Sequence, residues 1–190
     1  MLEQLIEWDK EALIFLNSLG GEEYDSFWTL ITQIPTWIPL FLFFFLLLLW
    51  YHPLKKALIL MAMVLALLGF VLIATDLTKE WVERIRPNND TEINHLLRVL
   101  RNPTSYSFFS GHAATSFSLT TLVVIFLRKR TKWIWLLYIW PILFSLSRIY
   151  VGVHYPIDIV VGTMVGLASA LLFYYVYNRF IAPYTDLVRP

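Results

Sequence analysis

The chain has 190 residues, 58% hydrophobic and 17% aromatic, with only 15% charged. Soluble domains carry about 25% charged residues, so the composition is that of a membrane protein with one body, and a formal net charge of +1 leaves no footprint for a nucleic-acid partner. With no cysteine, disulfides and thiolate chemistry are excluded and the redox compartment cannot be read.

The N-terminus, MLEQLIEWDKEAL, is acidic and lacks the basic start of a signal peptide. Residues 1–20 predict an amphipathic helix. Leu5, Ile6, Leu13, Leu16 and Leu19 are interleaved with Glu3, Glu7, Asp9, Lys10 and Glu11. That is too polar to span and suits a helix lying at the interface. Gly20 and Gly21 end it. A second short helix is expected from about Tyr24 to Gln33, stopping before Pro35 because the residue before proline disfavours helix. The first span runs from about Thr36 to Tyr51 around FLFFFLLLLW. It is short of the roughly 20 residues that a bilayer core needs. If it recruits the preceding helix, the total is counted as five spans or six.

His52-Pro-Leu-Lys-Lys56 reads as a tight basic turn, with His52 interfacial. The second span is Ala57 to about Leu77, and residues 78–109 read as a polar loop. Within it, Arg84, His95, Arg98 and Arg101 are taken as ordinary loop residues. The third span is about Ser110 to Leu127, followed by the short basic loop RKRTK at 128–132. The fourth, about Trp133 to Leu146, contains Pro141, which predicts a kink. The fifth, about Pro156 to Asn178, carries Gly162 and Gly166, a small-xxx-small pattern for close helix packing. The fold class is therefore all-α: a polytopic membrane helix bundle with N-terminal interfacial helices (1–34), a membrane-embedded core (35–180) and a tail (181–190).

Five antiparallel spans place residues 78–109 and 147–155 on one face of the membrane. Lys55-Lys56, RKRTK and the tail with Arg179 and Arg189 fall on the other. That second face holds eight Lys/Arg and one acid, Asp186, while the first holds thirteen of the fourteen Asp/Glu. Short basic loops stay cytoplasmic by the positive-inside rule, so the acidic face looks outward. In a bacterium this is the periplasmic face of the inner membrane.

Three polar clusters converge there. Lys79 is followed seven residues on by Arg86-Pro87. Ser110-Gly111-His112 opens the third span. Arg148, His154 and Asp158 lie between the fourth and fifth. Ionisable groups at the mouth of a span are costly unless they have work to do. His154 and Asp158 are spaced i, i+4 and share one helix face, so the carboxylate can fix the imidazole tautomer and leave the other nitrogen to attack or to bind a ligand. Lys79, Arg86 and Arg148 supply cations for a phosphate and its transition state. Helix-opening N–H groups at Ser110-Gly111 favour an anion, and His112 can protonate a leaving alkoxide. Singly, each cluster has a plainer explanation: Lys79 and Arg86 as head-group anchors, Ser110-Gly-His as a helix cap. A metal site on two histidines and an aspartate is the chemical rival, but the crowd of cations disfavours a divalent ion.

Lys79-x6-Arg86-Pro87, Ser110-Gly111-His112 and Ser147-Arg148-x5-His154-x3-Asp158 together resemble the three-part signature of the type 2 phosphatidic acid phosphatase (PAP2) superfamily, over residues 57–178. The resemblance implies hydrolysis through a phosphohistidine, with no metal or other cofactor. His154 would be the nucleophile, Asp158 its orienting partner and His112 the general acid. Lys79, Arg86, Ser110, Gly111 and Arg148 would hold the phosphate. One departure is Phe109, where the family usually has proline. The Phe108-Phe109 pair is then expected to face the lipid part of a substrate.

The expected partners are a phosphorylated membrane lipid and the bilayer itself. Undecaprenyl pyrophosphate and phosphatidylglycerol phosphate are the favoured substrates, with phosphatidic acid and a lipid A phosphate as alternatives. Loop 88–107 and the N-terminal helices are expected to set the choice. A lipid phosphotransferase on the same site, and a non-catalytic lipid-binding protein with a relic site, are the rival functions. The sequence carries no reading of oligomeric state.

Overall fold

The computed structural model describes residues 1–185. The helices in chain order are α1 (Leu2–Ser18), α2 (Asp25–Ile31), α3 (Ile38–Tyr51), α4 (Leu54–Val82), α5 (Gly111–Leu127), α6 (Ile139–Tyr150), α7 (Pro156–Val176) and α8 (Ala182–Thr185). Helices α3, α4, α6 and α7, with their continuous 3-10 or π-helical flanks, are long and apolar enough to cross a membrane. Helix α5 is the fifth apolar crossing. Its 17 residues span about 26 Å at 1.5 Å per residue, less than a full bilayer core. It tolerates this because it is the hub: it packs on α4, α6 and α7 and has buried residues on every side. A helix surrounded by protein needs no polar stripe.

Glycine sets how closely α7 meets that hub. A Cβ at Gly162 would stand 2.6 Å from the Ser110 carbonyl oxygen, and one at Gly166 would stand 2.5 Å from that of Ala114. The packing expectation for this pair holds, and it has a consequence for the polar end. Close approach lets the Ser110 N–H donate to the Asp158 carbonyl at 3.0 Å. The opening of α5 is thereby joined to the first turn of α7.

Several boundaries differ from the sequence reading. Helix α4 continues past Leu77 to Val82, so Lys79 lies on its last turn rather than in a loop. A 3-10 segment, Trp133–Tyr138, precedes α6, and Pro141 falls in the first turn of α6, where a missing N–H costs nothing. Phe109 is 4% exposed and belongs to the central core, and Phe108 packs against that core. The aromatic pair thus supports the bundle instead of facing a substrate. Asp186 and Arg189, assigned to the cytoplasmic tail, lie outside the described residues.

Helix α1 is amphipathic, but the stripe it turns to protein mixes polar and apolar residues, while Glu3, Glu7 and Glu11 stay exposed. Asp9, Leu13 and Asn17, one turn apart, are 3%, 0% and 2% exposed, while Trp8, Phe15 and Leu19 on the outer side are more than half exposed. Asn17 donates through Nδ2 to the carbonyls of Ile149 and Tyr150 at 3.1 and 2.9 Å and accepts from the Arg98 N–H at 2.7 Å. It ties α1 to the end of α6 and to the long loop.

Replacing Gly162 by alanine forces a side chain against backbone, and we expect a loss of about 2 kcal/mol, within the usual cost of overpacking. Gly69 on α4 has nothing within 4 Å of an added Cβ. Its alanine variant should stay within about 1 kcal/mol of wild type, on the stabilising side. Melting in detergent compares the two, and equal effects would contradict the α5–α7 contact.

Candidate active site

Two backbone devices deliver His154. Helix α6 ends with the Val153 N–H bonded to the Arg148 carbonyl (3.1 Å) and the Gly152 N–H bonded to that of Ile149 (3.0 Å). This is the paired closure of a Schellman motif, and it needs a left-handed residue at its turn. Gly152 supplies it with φ +74°, and a Cβ there would meet the Arg98 carbonyl oxygen at 2.9 Å. Two residues after His154, α7 begins with Pro156 at its first position, where proline is preorganised. Asp158, at the third position, reaches back to accept from the Tyr155 N–H at 3.1 Å. The same oxygen, Oδ2, lies 3.2 Å from His154 Nδ1.

Asp158 is fully buried, so its charge must be met by donors. Besides His154 and Tyr155 it takes a 2.7 Å hydrogen bond from Arg84 Nη1 to Oδ1, while the nearby Ser107 hydroxyl donates to the Ile85 carbonyl at 3.5 Å. A carboxylate on Nδ1 places the imidazole proton there and leaves Nε2 with its lone pair. That lone pair faces Arg86, whose Nη1 is 3.0 Å from Nε2. Arg86 is held in turn by the Ser105 carbonyl (2.6 Å), the Ser105 hydroxyl (3.1 Å) and the Val153 carbonyl (3.0 Å). Burial, then the charges of Arg86, Arg148, Lys79 and Arg84, hold the His154 pKa well below its ordinary 6.5. The ring is neutral at pH 7.

Arg148 is 6% exposed and donates through Nη1 to the Thr32 hydroxyl at 2.6 Å. His112 stacks on Phe144 with ring centres 4.7 Å apart and hydrogen-bonds the Thr32 backbone. It lies within electrostatic reach of His154, Arg148 and Lys79. The Ser110 hydroxyl oxygen caps α5 by accepting from the Ala113 N–H at 3.4 Å, and first-turn N–H groups beside it have no intrahelical acceptor. Arg148 and His112 form one side of an open polar cavity of about 450 Å³, whose rim comprises residues 32–35 and 101–103. Among the described residues no group of three His, Cys, Asp or Glu is arranged to hold a metal ion.

The structure thus brings together every residue singled out by the three motifs. It also corrects the reading of several arginines as loop residues. Arg84 bridges Asp158 and Asp9, Arg98 pairs with Asp25, and Arg101 lines the polar cavity. Arg84 had a signal: it stands two residues before Arg86 in a segment leaving the helix, and side chains at i and i+2 of extended chain share a side. Ser105 and Ser107, in a loop without periodicity, had none.

A further consequence concerns acid. Because the folded His154 pKa lies below the unfolded value, protonation favours the unfolded chain. The stability from the neutral ring is complete above about pH 6.5 and is lost as pH falls toward the folded pKa. Nitrogen NMR of labelled histidine should show His154 untitrated through pH 6.5, and His154→Asn should flatten the acid loss of melting temperature. Titration of His154 at the ordinary value would contradict the cationic surroundings.

The chain is 29% identical over 186 residues to the lipid A 4'-phosphatase of Bacteroides thetaiotaomicron, covering 96% of this chain and 82% of that one. It is 38% identical over 92 residues to the undecaprenyl-diphosphatase of Sulfolobus acidocaldarius, covering 48% and 42% of the two chains. Its fold matches the transmembrane PAP2-type phosphatidylglycerolphosphate phosphatase of Bacillus subtilis with a TM-score of 0.73, at 23% identity over 93% of this chain and 88% of the other. It matches Aquifex aeolicus LpxE with a TM-score of 0.64, at 24% identity over 87% and 93%. The model of the PAP2 superfamily spans residues 57–182, from the first turn of α4 to the first residue of α8 with every motif inside it, and the chain belongs to that superfamily.

Proposed function

We propose that the protein hydrolyses a phosphate ester of a membrane lipid, with His154 as nucleophile. The observation that carries this reading is the buried His154, tied by Nδ1 to Asp158 and presenting Nε2 to a guanidinium. Phosphate oxygens draw Arg86 onto themselves, joined by Arg148 and Lys79 and by the N–H groups and hydroxyl at Ser110-Gly111. Nε2 attacks phosphorus as the bond to the lipid oxygen breaks. His112, protonated once the phosphate dianion sits beside it, gives that proton to the departing alkoxide. The phosphohistidine carries a positive ring, which Asp158 neutralises. His112, now a base, takes a proton from water as the water oxygen bonds to phosphorus and the P–Nε2 bond breaks. Phosphate leaves and His154 is restored. Guanidinium and ammonium groups supply the charge stabilisation, a role that needs no divalent cation.

The lipid character rests on a second cavity. An apolar groove of about 290 Å³, lined by Phe41, Phe44, Leu68, Leu119 and Trp140, shares Ile34 with the polar cavity and contains Phe144, the residue stacked on His112. A hydrocarbon chain there leaves its head group at the cup. The polar cavity of about 450 Å³ is roomier than a phosphate alone, which favours a head group as large as a phosphorylated sugar. Similarity to a lipid A 4'-phosphatase runs almost the full chain, including both segments of the cavity rim. A lipid A-type phosphomonoester is therefore the substrate we favour over phosphatidylglycerol phosphate. A lipid diphosphate is the second reading, favoured by Arg101 at the rim as a cation for another phosphate. The acidic, site-bearing end faces outward, periplasmic in a bacterial inner membrane, as the basic turns require.

His154→Ala should lower phosphate release by at least about a thousandfold, and wild-type activity should survive chelator. Purified chain assayed with lipid A, undecaprenyl diphosphate, phosphatidylglycerol phosphate and phosphatidic acid, with and without a competing lipid alcohol, reads substrate and acceptor together. Undiminished turnover by His154→Ala would reject the nucleophile, and phosphate appearing on the alcohol would make the protein a transferase.

A further inference from the structure

Asp9 sits 149 residues before Asp158 and outside the segment matched by the family model, yet it is wired to it. Asp9 Oδ2 accepts from Arg84 Nη2 at 2.7 Å, and Arg84 Nη1 donates to Asp158 Oδ1 at 2.7 Å. Asp158 Oδ2 then meets His154 Nδ1. The other Asp9 oxygen, Oδ1, accepts from the Ile157 N–H at 2.9 Å, in the first turn of the helix that carries Asp158. Both carboxylates are buried, at 3% and 0% exposure. The Arg84 guanidinium lies 3.9 Å over the Tyr155 ring, whose hydroxyl donates to Asp90 at 2.9 Å. Lys10, beside Asp9, pairs with Asp90 at 3.5 Å. Helix α1 thus holds Arg84 directly and supports the ring beneath it.

We infer that Asp9 is a positioning residue for the reaction, acting through Arg84 on Asp158 and so on His154. The inference rests on the phosphatase reading above. A guanidinium beside one carboxylate prefers the two-pronged arrangement that covers both oxygens. Here it is split, one prong on each of two carboxylates. Asp9 takes the second prong, and Asp158 Oδ2 stays free for His154. Without the Asp9 charge, Arg84 turns both prongs onto Asp158 and competes with the imidazole for Oδ2. The ring then loses its fixed tautomer and aim, and turnover falls while substrate binding, which uses other cations, does not.

The test is turnover of full-length variants in detergent on the lipid of the panel that wild type hydrolyses best, with melting temperature measured alongside. Asp9→Asn should lower kcat by about 10- to 100-fold with KM unchanged, and Asp9→Glu should restore most of it. Arg84→Lys, which keeps the charge and loses the fork, should show a similar kcat loss. Leu127→Ala, in the central core at the far end of α5, should lower melting temperature and leave kcat near wild type. If Asp9→Asn fails to fold, Arg84→Lys decides by the same criterion. Wild-type kcat in Asp9→Asn or Arg84→Lys, or a kcat loss in Leu127→Ala matching its loss of stability, would overturn the inference alone. A wild-type chain silent on every lipid would overturn the phosphatase reading and this inference with it.

Discussion

The Asp158 carboxylate has no access to water, and the polar end of the bundle is arranged to satisfy it. An isolated buried charge is among the most expensive things a fold can contain. Three donors meet this one: a backbone N–H at the start of its own helix, an imidazole from the preceding turn and a guanidinium from the long loop. Each comes from a different local structure, and each is oriented by serving the same acceptor. The helix cap and the imidazole's alignment are therefore one interaction. Close packing of α7 on α5 through Gly162 and Gly166 then sets Ser110-Gly111-His112 beside it. Few independent degrees of freedom remain between the groups that face the phosphate.

Much of this was legible in the chain because it is local or periodic. The i, i+4 spacing of His154 and Asp158, the cap at Ser110, and the count of apolar runs each depend on residues within a turn or a span of one another. Span parity alone placed Lys79, Arg86, His112 and Arg148 at one membrane level. The illegible parts were those decided by partners far along the chain. In the loop carrying Arg84, Arg86, Arg98 and Arg101 the motif singles out Arg86, but nothing local names the partners of the other three. Only folding assigns Arg84 to carboxylates, Arg86 to the imidazole, Arg98 to Asp25 and Arg101 to a cavity. Phe109 looked like a site residue because it adjoins one, but its side chain had more to gain in the core.

Helix α1 shows why amphipathicity does not by itself say which face is inside. In a soluble protein the apolar stripe turns inward. At a membrane the apolar residues have a second apolar solvent, and the polar stripe is free to turn toward protein. Asp9 and Asn17 take that option, and they are buried because backbone and guanidinium donors await them. The helix is held by these directional bonds, with Leu13 packed between them in a small apolar cluster.

The contact between Arg86 and His154 Nε2 has a bearing on selectivity. In the proposed reaction the group that receives phosphate also covers, at rest, the nitrogen that attacks, so that nitrogen is unmasked only by an anion strong enough to pull the guanidinium aside. A phosphomonoester near pH 7 carries close to two negative charges, whereas the phosphodiester of an ordinary phospholipid carries one, spread over fewer free oxygens. An enzyme immersed in a sea of such diesters must leave its own surroundings intact. The masked nitrogen provides that restraint before any bond to phosphorus begins to form.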